Sequence, residues 1–153
     1  MTSSNPPLSP QAHSSRILLV DDNHLGLCAR KAVLEELGYR TVACSSGEEA
    51  LEHLSKQRFD LVVTDYKMPT MSGLELIERV RSEHAPTMVI LLSGFADTLG
   101  LNEENTGADA VIQKSANEVN HLIRAVNRLL RRPAKKSPGT QGSPRSGGAK
   151  KRR

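Results

Sequence analysis

Long apolar runs and cysteines are both scarce in this sequence. The longest purely apolar run covers residues 88–92, whereas a membrane-spanning helix needs about 20 such residues. The amino terminus lacks the apolar stretch of a secretion signal, so we expect neither export nor membrane insertion and predict a cytoplasmic protein. The two cysteines, Cys28 and Cys44, lack metal-ligand spacing and cannot form a disulfide framework. The patterns around them predict that both lie in or near the core.

Acidic residues are absent from the end of the chain. Residues 131–153 contain nine Lys or Arg and no Asp or Glu, so the remainder carries 12 basic and 17 acidic residues. This composition cannot build a core, and we predict a disordered basic tail over residues 133–153. Residues 1–15, rich in Ser and Pro, are likewise predicted to be disordered.

The basic tail has two interpretations. It could contact nucleic acid or an acidic partner non-specifically through counterion release. It contains no aromatic residue on which a base could stack, so such binding would not depend on sequence and would be lost in salt. The favoured interpretation is a solvated tail without a dedicated ligand.

Residues 16–132 alternate short apolar strands with amphipathic helices five times. The strands are predicted at residues 16–20, 39–44, 61–65, 88–92 and 110–113. Buried strands separated by helices require a parallel sheet that is covered on both faces. Because crossovers are right-handed, the predicted fold is α/β, a flavodoxin-like doubly wound (βα)5 domain with strand order 2-1-3-4-5.

The helix boundaries are predicted from capping and breaking residues. Asn23 caps a first helix, and Ser46 and Ser115 each start a helix as a capping box with the glutamate three residues later. Residues 99–106 are predicted to form one marginal helix, and the last helix is expected to end before Pro133. The apolar face of the first helix is predicted at Leu25, Cys28, Ala29, Ala32, Val33 and Leu37.

Polar residues end four of the predicted strands. They are Asp21 with Asp22, then Asp65, Ser93 and Lys114. Because parallel strands place their carboxyl ends along one edge, we expect these side chains to converge. Three neighbouring carboxylates would repel one another, which either raises the pKa of one of them or requires a hard cation such as Mg²⁺.

The remaining donors at this edge suit a phosphoryl group. Mg²⁺ and Lys114 would balance its charge, and Ser93 would donate a hydrogen bond to one of its oxygens. The central carboxylate of Asp65 could act as a nucleophile and form an acyl phosphate. Five ordinary strand-end residues that meet by chance are the less favoured interpretation.

Four segments resemble the receiver domain of bacterial two-component response regulators. They are VDD at residues 20–22, TDYKMPTMSG at 64–73, LLSG at 91–94 and GADAVIQK at 107–114. The resemblance extends over about residues 16–131, and their order makes the set specific. The chain looks like a stand-alone receiver of the chemotaxis-regulator kind, since residues 133–153 cannot form an output domain.

The resemblance implies a role for each residue of the site. Asp65 would accept a phosphoryl group from a phosphohistidine of a sensor histidine kinase or a histidine phosphotransfer protein. Asp22 would bind Mg²⁺ directly, Asp21 mainly through water, and Lys67 through its main-chain carbonyl. Ser93 and Lys114 would contact the phosphoryl group. Such a domain promotes its own phosphorylation and dephosphorylation but is a signalling switch rather than an enzyme, and its downstream protein target is unknown.

The chain differs from the family pattern in three respects. Val111 replaces the switch aromatic, so transmission is expected to use Ser93 and the marginal segment after it. Ser115 replaces the proline that usually follows the lysine, and we predict a trans bond because a cis bond would cost roughly 2.5–4 kcal/mol. Relatives vary at the positions of Lys67 and Phe95, which tune phosphoryl lifetime.

Three other functions fit the sequence less well. A haloacid-dehalogenase-like phosphatase would need an Asp-x-Asp nucleophile after the first strand, but Asp21 and Asp22 are adjacent. A flavin-binding domain would need a Gly-rich phosphate loop at the same place. A receiver-like interaction module that works without phosphorylation, with a tail that binds nucleic acid or an acidic partner, is supported only by Val111.

Overall fold

The computed structural model describes residues 15–136, with the side chains of residues 15–131. Five parallel strands form one sheet in the order β2-β1-β3-β4-β5, which confirms the predicted fold class. The strands are β1 Arg16–Val20, β2 Arg40–Cys44, β3 Leu61–Asp65, β4 Met88–Ser93 and β5 Ala110–Gln113. The predicted basic tail and amino-terminal segment fall almost entirely outside the described residues, and their boundaries remain predictions.

Helices cover both faces of the sheet. They are α1 His24–Glu36, α2 Gly47–Lys56, α3 Gly73–Glu83, α4 Ala96–Leu99, α5 Glu103–Thr106 and α6 Glu118–Lys136. In β1, Ile17 and Leu19 pack into the core on the side of α1 and α6, while Leu18 and Val20 pack on the side of α2 and α3. Helix α6 continues past Pro133, where the sequence predicts its end. None of the helices within residues 15–136 is long and apolar enough to cross a bilayer.

The predicted apolar face of α1 is largely wrong, although Leu37, which follows the helix, does pack against the core. Leu27, Arg30 and Leu34 are the buried residues of this helix, whereas Leu25 is 80% exposed and Cys28 is exposed. Leu27 and Leu34 lie seven residues apart, two helical turns, and therefore share one face. Arg30 occupies the middle of that face, so counting apolar residues favoured the neighbouring stripe.

The two cysteines therefore differ in accessibility, which gives a testable consequence. Burial, with a smaller contribution from Glu49, raises the pKa of the Cys44 thiol to about 12. Because the thiolate is the reactive form, iodoacetamide at pH 8 should modify the native protein once, at Cys28. Intact mass should show two adducts only after denaturation. Modification of Cys44 in the native protein would contradict its burial.

The segment predicted as one helix, residues 99–106, contains α5 but only the last residue of α4. Helix α4 ends at Gly100, which has a φ of +67°, and a new cap at Asn102 begins α5. The Asn102 side chain accepts from the amide of Asn105, whose side chain accepts from the amide of Asn102. The predicted helix is therefore shorter and begins later than expected, because the left-handed Gly100 ends α4 and separates it from α5.

The predicted capping boxes are formed only in part. Ser46 accepts from the amide of Glu49, but the Glu49 carboxylate accepts from the amide of Ser45 instead of closing the box. The hydroxyl of Ser115 accepts from the amide of Asn117, and the glutamate of that predicted box binds elsewhere. The predictions of serine starts are therefore better than the predictions of their glutamate partners.

Candidate functional site

Three carboxylates meet at the carboxyl edge of the sheet. One oxygen of Asp21, one of Asp22 and one of Asp65 all lie within 4.8 Å of one another. Asp21 and Asp65 are buried, with 1% and 7% of their surfaces exposed, while Asp22 is exposed. The cluster therefore has one side open to solvent, and its all-oxygen donor set matches the preference of Mg²⁺.

Lys114 adds a cation to this cluster. Its Nζ lies 2.6 Å from Oδ1 of Asp65 and 3.8 Å from Oδ2 of Asp21. The residue follows β5, and its backbone amide donates to the carbonyl of Ser93 at 2.9 Å, which anchors the start of this loop to β4. The ammonium group is thus held against the carboxylate that the sequence predicts to be phosphorylated.

Ser93 lies at the end of β4 and is almost fully buried, with 1% exposed. Its Oγ accepts a hydrogen bond of 2.9 Å from the amide of Phe95. The hydroxyl proton remains a donor that can be directed to another acceptor. Ser93 is therefore fixed by the loop that follows it.

Lys67 occupies the loop after β3, but its side chain does not join the carboxylates. Its Nζ lies 5.3 Å from the ring centroid of Phe95, a distance typical of a cation–π contact. Phe95 is 48% exposed, so this contact lies at the solvent-facing rim of the site. The predicted role of the Lys67 carbonyl as a metal ligand stays a prediction.

The loop after Asp65 turns tightly and returns to the strand. Thr70 has a φ of +71°, and the amide of Met71 donates to the carbonyl of Pro69 at 2.7 Å. The amide of Gly73 donates to the carbonyl of Tyr66 at 2.8 Å. The bond between Lys114 and Ser115, on the far side of the site, is trans as predicted, since no cis peptide occurs among residues 15–136.

Arg30 and Glu118 also belong to the site, although no sequence motif assigns them to it. Nη1 of Arg30 donates to Oδ2 of Asp21 at 2.7 Å, and Nε donates to Oε2 of Glu118 at 2.8 Å. Burial acts to lower the pKa of the Arg30 guanidinium, but these hydrogen bonds outweigh burial and raise the pKa. The available sequence signal was the position of Arg30 between Leu27 and Leu34, at helical spacing, in the helix that follows the acidic pair.

Asp65 has a perturbed carboxyl group. Burial raises its pKa above the ordinary value of 3.8, the charge of Asp21 raises it further, and the hydrogen bond from Lys114 only partly opposes the shift. The Asp65 carboxyl therefore holds its proton more strongly in the folded protein than in the unfolded chain. The resulting stability is fully present below the unfolded pKa and is lost as pH rises through the folded pKa.

Asp65→Asn should remove this loss of stability at higher pH, since the amide of asparagine carries no charge. Without Mg²⁺ at pH 7, we expect the variant to melt at a higher temperature than the parent. The difference between the two melting temperatures should narrow as the pH falls toward the ordinary pKa of an aspartate carboxyl. Thermal unfolding across this range tests the prediction, with the exposed Asp97→Asn as control. A parent that is more stable than Asp65→Asn at pH 7 would contradict it.

The fold and the acidic edge together define a class of protein, the signalling domains built on a doubly wound sheet. Residues 17–127 match the family model described as the response regulator receiver domain. The chain therefore belongs to the receiver domain family of two-component systems. Domains of this family are signalling modules rather than enzymes of the ordinary kind.

Solved structures and curated proteins resemble the chain over this region. The response regulator TrrA from Thermotoga maritima, in complex with Mg(2+)-BeF, has a TM-score of 0.69 and 34% identity over 76% of this chain and 99% of its own. A CheY-like receiver domain protein from Methanospirillum hungatei has a TM-score of 0.71 and 30% identity, covering 80% and 98%.

Among curated proteins, the transcriptional regulatory protein CrdR of Helicobacter pylori is 36% identical over 101 residues, which cover 65% of this chain and 47% of CrdR. The CAI-1 autoinducer sensor kinase/phosphatase CqsS of Vibrio cholerae is 33% identical over 118 residues, 74% of this chain and 17% of CqsS. The chain thus spans less than half the length of these two relatives.

Proposed function

We propose that Asp65 accepts a phosphoryl group from a phosphohistidine of a sensor histidine kinase or a histidine phosphotransfer protein, with Mg²⁺ bound beside it. The observation that carries this proposal is the contact of the Lys114 ammonium with Asp65, inside a cluster of three carboxylates. A carboxylate with a cation on one side and metal ligands on the other has the surroundings that an acyl phosphate needs.

The residues of the site fit Mg²⁺ because their donors are carboxylate oxygens on one open edge. Asp22 and Asp65 would hold the ion directly, Asp21 mainly through water, and the main-chain carbonyl of Lys67 would complete the protein's ligands. When bound, Mg²⁺ neutralises charge on the phosphoryl oxygens. It also balances the excess of carboxylates over cations at this edge.

The chemistry of the step follows from Asp65 and its neighbours. An oxygen of Asp65 attacks phosphorus, the bond from phosphorus to the histidine nitrogen breaks, and that nitrogen keeps the electron pair and takes up a proton. The Lys114 ammonium, which pairs with Oδ1 of Asp65 before the transfer, shifts its contact to a phosphoryl oxygen. Ser93 donates its hydroxyl proton to another oxygen, and both interactions stabilise the charge of the transferred group.

Signal transmission is proposed to begin at Ser93. Val111 in β5 is only partly buried and carries no ring that could rotate. The hydrogen bond between Ser93 and Phe95 leads directly into α4, and Glu103 of α5 accepts from the amide of Val111 at 3.2 Å. A movement of Ser93 toward the phosphoryl group would therefore pull on the two short helices, which would present the change to a protein partner or relay.

Beryllofluoride, a phosphoryl mimic that binds an aspartate oxygen, tests the proposal. With saturating Mg²⁺ and beryllofluoride, the parent should melt roughly 10 °C higher than with Mg²⁺ alone. Asp65→Asn should show no such increase, whereas the exposed Asp97→Asn should behave as the parent does. If Mg²⁺ raises the melting temperature of the parent but beryllofluoride adds nothing, the site binds metal only, and phosphoryl acceptance by Asp65 is contradicted.

A further inference from the structure

A buried arginine links the acidic cluster to the last helix. The Arg30 side chain is 7% exposed and forms ion pairs with Asp21, whose side chain is 1% exposed, and Glu118, whose side chain is 17% exposed. Asp21 follows β1 and Glu118 begins α6, so one guanidinium joins two separate elements. An ion pair of this kind is weak support for stability, because desolvation offsets much of its attraction.

Helix α1 is shaped to accept this guanidinium. Leu27 and Leu34 flank Arg30 on the buried face, where a hydrocarbon side chain would fill the same space at no electrostatic cost. Gly26 lies one turn earlier, and a Cβ atom there would stand 3.3 Å from Nη2 of Arg30 and 3.4 Å from Nη1. The Arg30 side chain is therefore held in a close-fitting site. Because a hydrocarbon side chain could fill that site, the role of Arg30 must lie in its charge.

Arg30 already donates a hydrogen bond to Asp21, one of the proposed ligands of Mg²⁺. Oδ2 of Asp21 accepts from Nη1 of Arg30 at 2.7 Å, and Oδ1 accepts from the amide of Asn23 at 2.9 Å. Both oxygens of this carboxylate thus already have donors. A cation that binds at Asp21 must share it with Arg30, which fits the prediction that Asp21 acts mainly through water.

Six charged side chains around Asp21 carry a net charge of −2. Four carboxylates and two cations make up the set: Asp21, Asp22, Asp65, Glu118, Arg30 and Lys114. We propose that Arg30 is a built-in cation that sets the Mg²⁺ affinity of the site, and that Glu118 moderates its effect. This inference rests on the proposed metal site. It makes Arg30 a positioning residue, because it acts on the metal through Asp21.

Two substitutions should move the Mg²⁺ affinity in opposite directions. Arg30→Met removes a positive charge at the site, so Mg²⁺ should bind at least about tenfold more tightly. Glu118→Gln leaves the full charge of Arg30 facing Asp21, so Mg²⁺ should bind roughly two- to fivefold more weakly. A purely structural role for Arg30 would not predict an increase in affinity. Titration calorimetry of the full chain with Mg²⁺ at pH 8 measures both.

Further variants keep the test valid if Arg30→Met does not fold. The double variant Arg30→Met with Glu118→Gln removes one charge of each sign and avoids an unpaired Glu118, so by additivity it should bind Mg²⁺ roughly two- to fivefold more tightly than the parent. Arg30→Lys retains the charge and should bind Mg²⁺ within about threefold of the parent. The exposed Arg79, which pairs with Glu83, provides the control Arg79→Met, for which no change is expected.

The outcomes separate this inference from the proposed function. Unchanged or weaker Mg²⁺ binding by folded Arg30→Met would overturn the role of Arg30, and so would a double variant that binds Mg²⁺ no more tightly than the parent. A parent that binds Mg²⁺ while all variants equal it overturns this inference alone. A parent that binds no Mg²⁺ overturns the proposed metal site and this inference together.

Discussion

Asp65→Asn is expected to abolish a Mg²⁺-dependent mass increase of about 80 Da that the parent acquires with acetyl phosphate. An ionised carboxylate oxygen attacks phosphorus, whereas the amide of asparagine is not nucleophilic. The contact of Lys114 with Oδ1 at 2.6 Å places a compensating cation where the transferred charge arrives. Intact mass spectrometry of the parent and the variant, with and without a chelator of Mg²⁺, measures the result directly.

The control for this experiment is another aspartate that lies outside the acidic cluster. Asp97 is exposed on α4, and Asp97→Asn should retain the full adduct. An adduct on Asp65→Asn that equals that of the parent would place the phosphoryl group elsewhere and contradict the proposed nucleophile. An adduct missing from all variants, together with a normal beryllofluoride response of the parent, would indicate hydrolysis faster than the measurement.

The strands and the acidic edge were predictable because their signals are local. Strand β5 has the predicted bounds Ala110–Gln113, and β3 ends at Asp65 as predicted. A run of apolar, β-branched residues that stops at a polar one defines each strand end. Once the alternation of strands and helices requires a parallel sheet, the carboxyl ends must share one edge. The convergence of Asp21, Asp22 and Asp65 therefore needed no information about packing.

The ion pairs of the buried Arg30 were not predictable in the same way. Its partner Glu118 lies 88 residues further along the chain, and helical periodicity contains no information about which distant carboxylate a cation will meet. The sequence assigns Glu118 to a local capping box, but the structure gives its carboxylate to the arginine. A buried charge-assisted hydrogen bond outweighs an exposed cap, because the alternative would leave a buried guanidinium without its second acceptor.

Gly73→Ala should destabilise the protein by about 3 kcal/mol, although alanine favours a helix over glycine by about 1 kcal/mol. Gly73 is the first residue of α3, and its position against β3 leaves no room for a side chain. A Cβ atom would stand 2.4 Å from the carbonyl oxygen of Asp65 and 2.9 Å from Cδ1 of Leu91. The first of these contacts is with backbone, which cannot rotate away.

The matched control for Gly73→Ala is Gly94→Ala. A Cβ atom at Gly94 would meet nothing within 4 Å, so its free energy of unfolding should change by less than about 0.5 kcal/mol. Urea unfolding of both variants measures the difference. Because the clash at Gly73 falls on the carbonyl of Asp65, the destabilised variant should also accept less phosphate from acetyl phosphate while still folded. If Gly73→Ala is as stable as Gly94→Ala, the close packing of α3 against the end of β3 is contradicted.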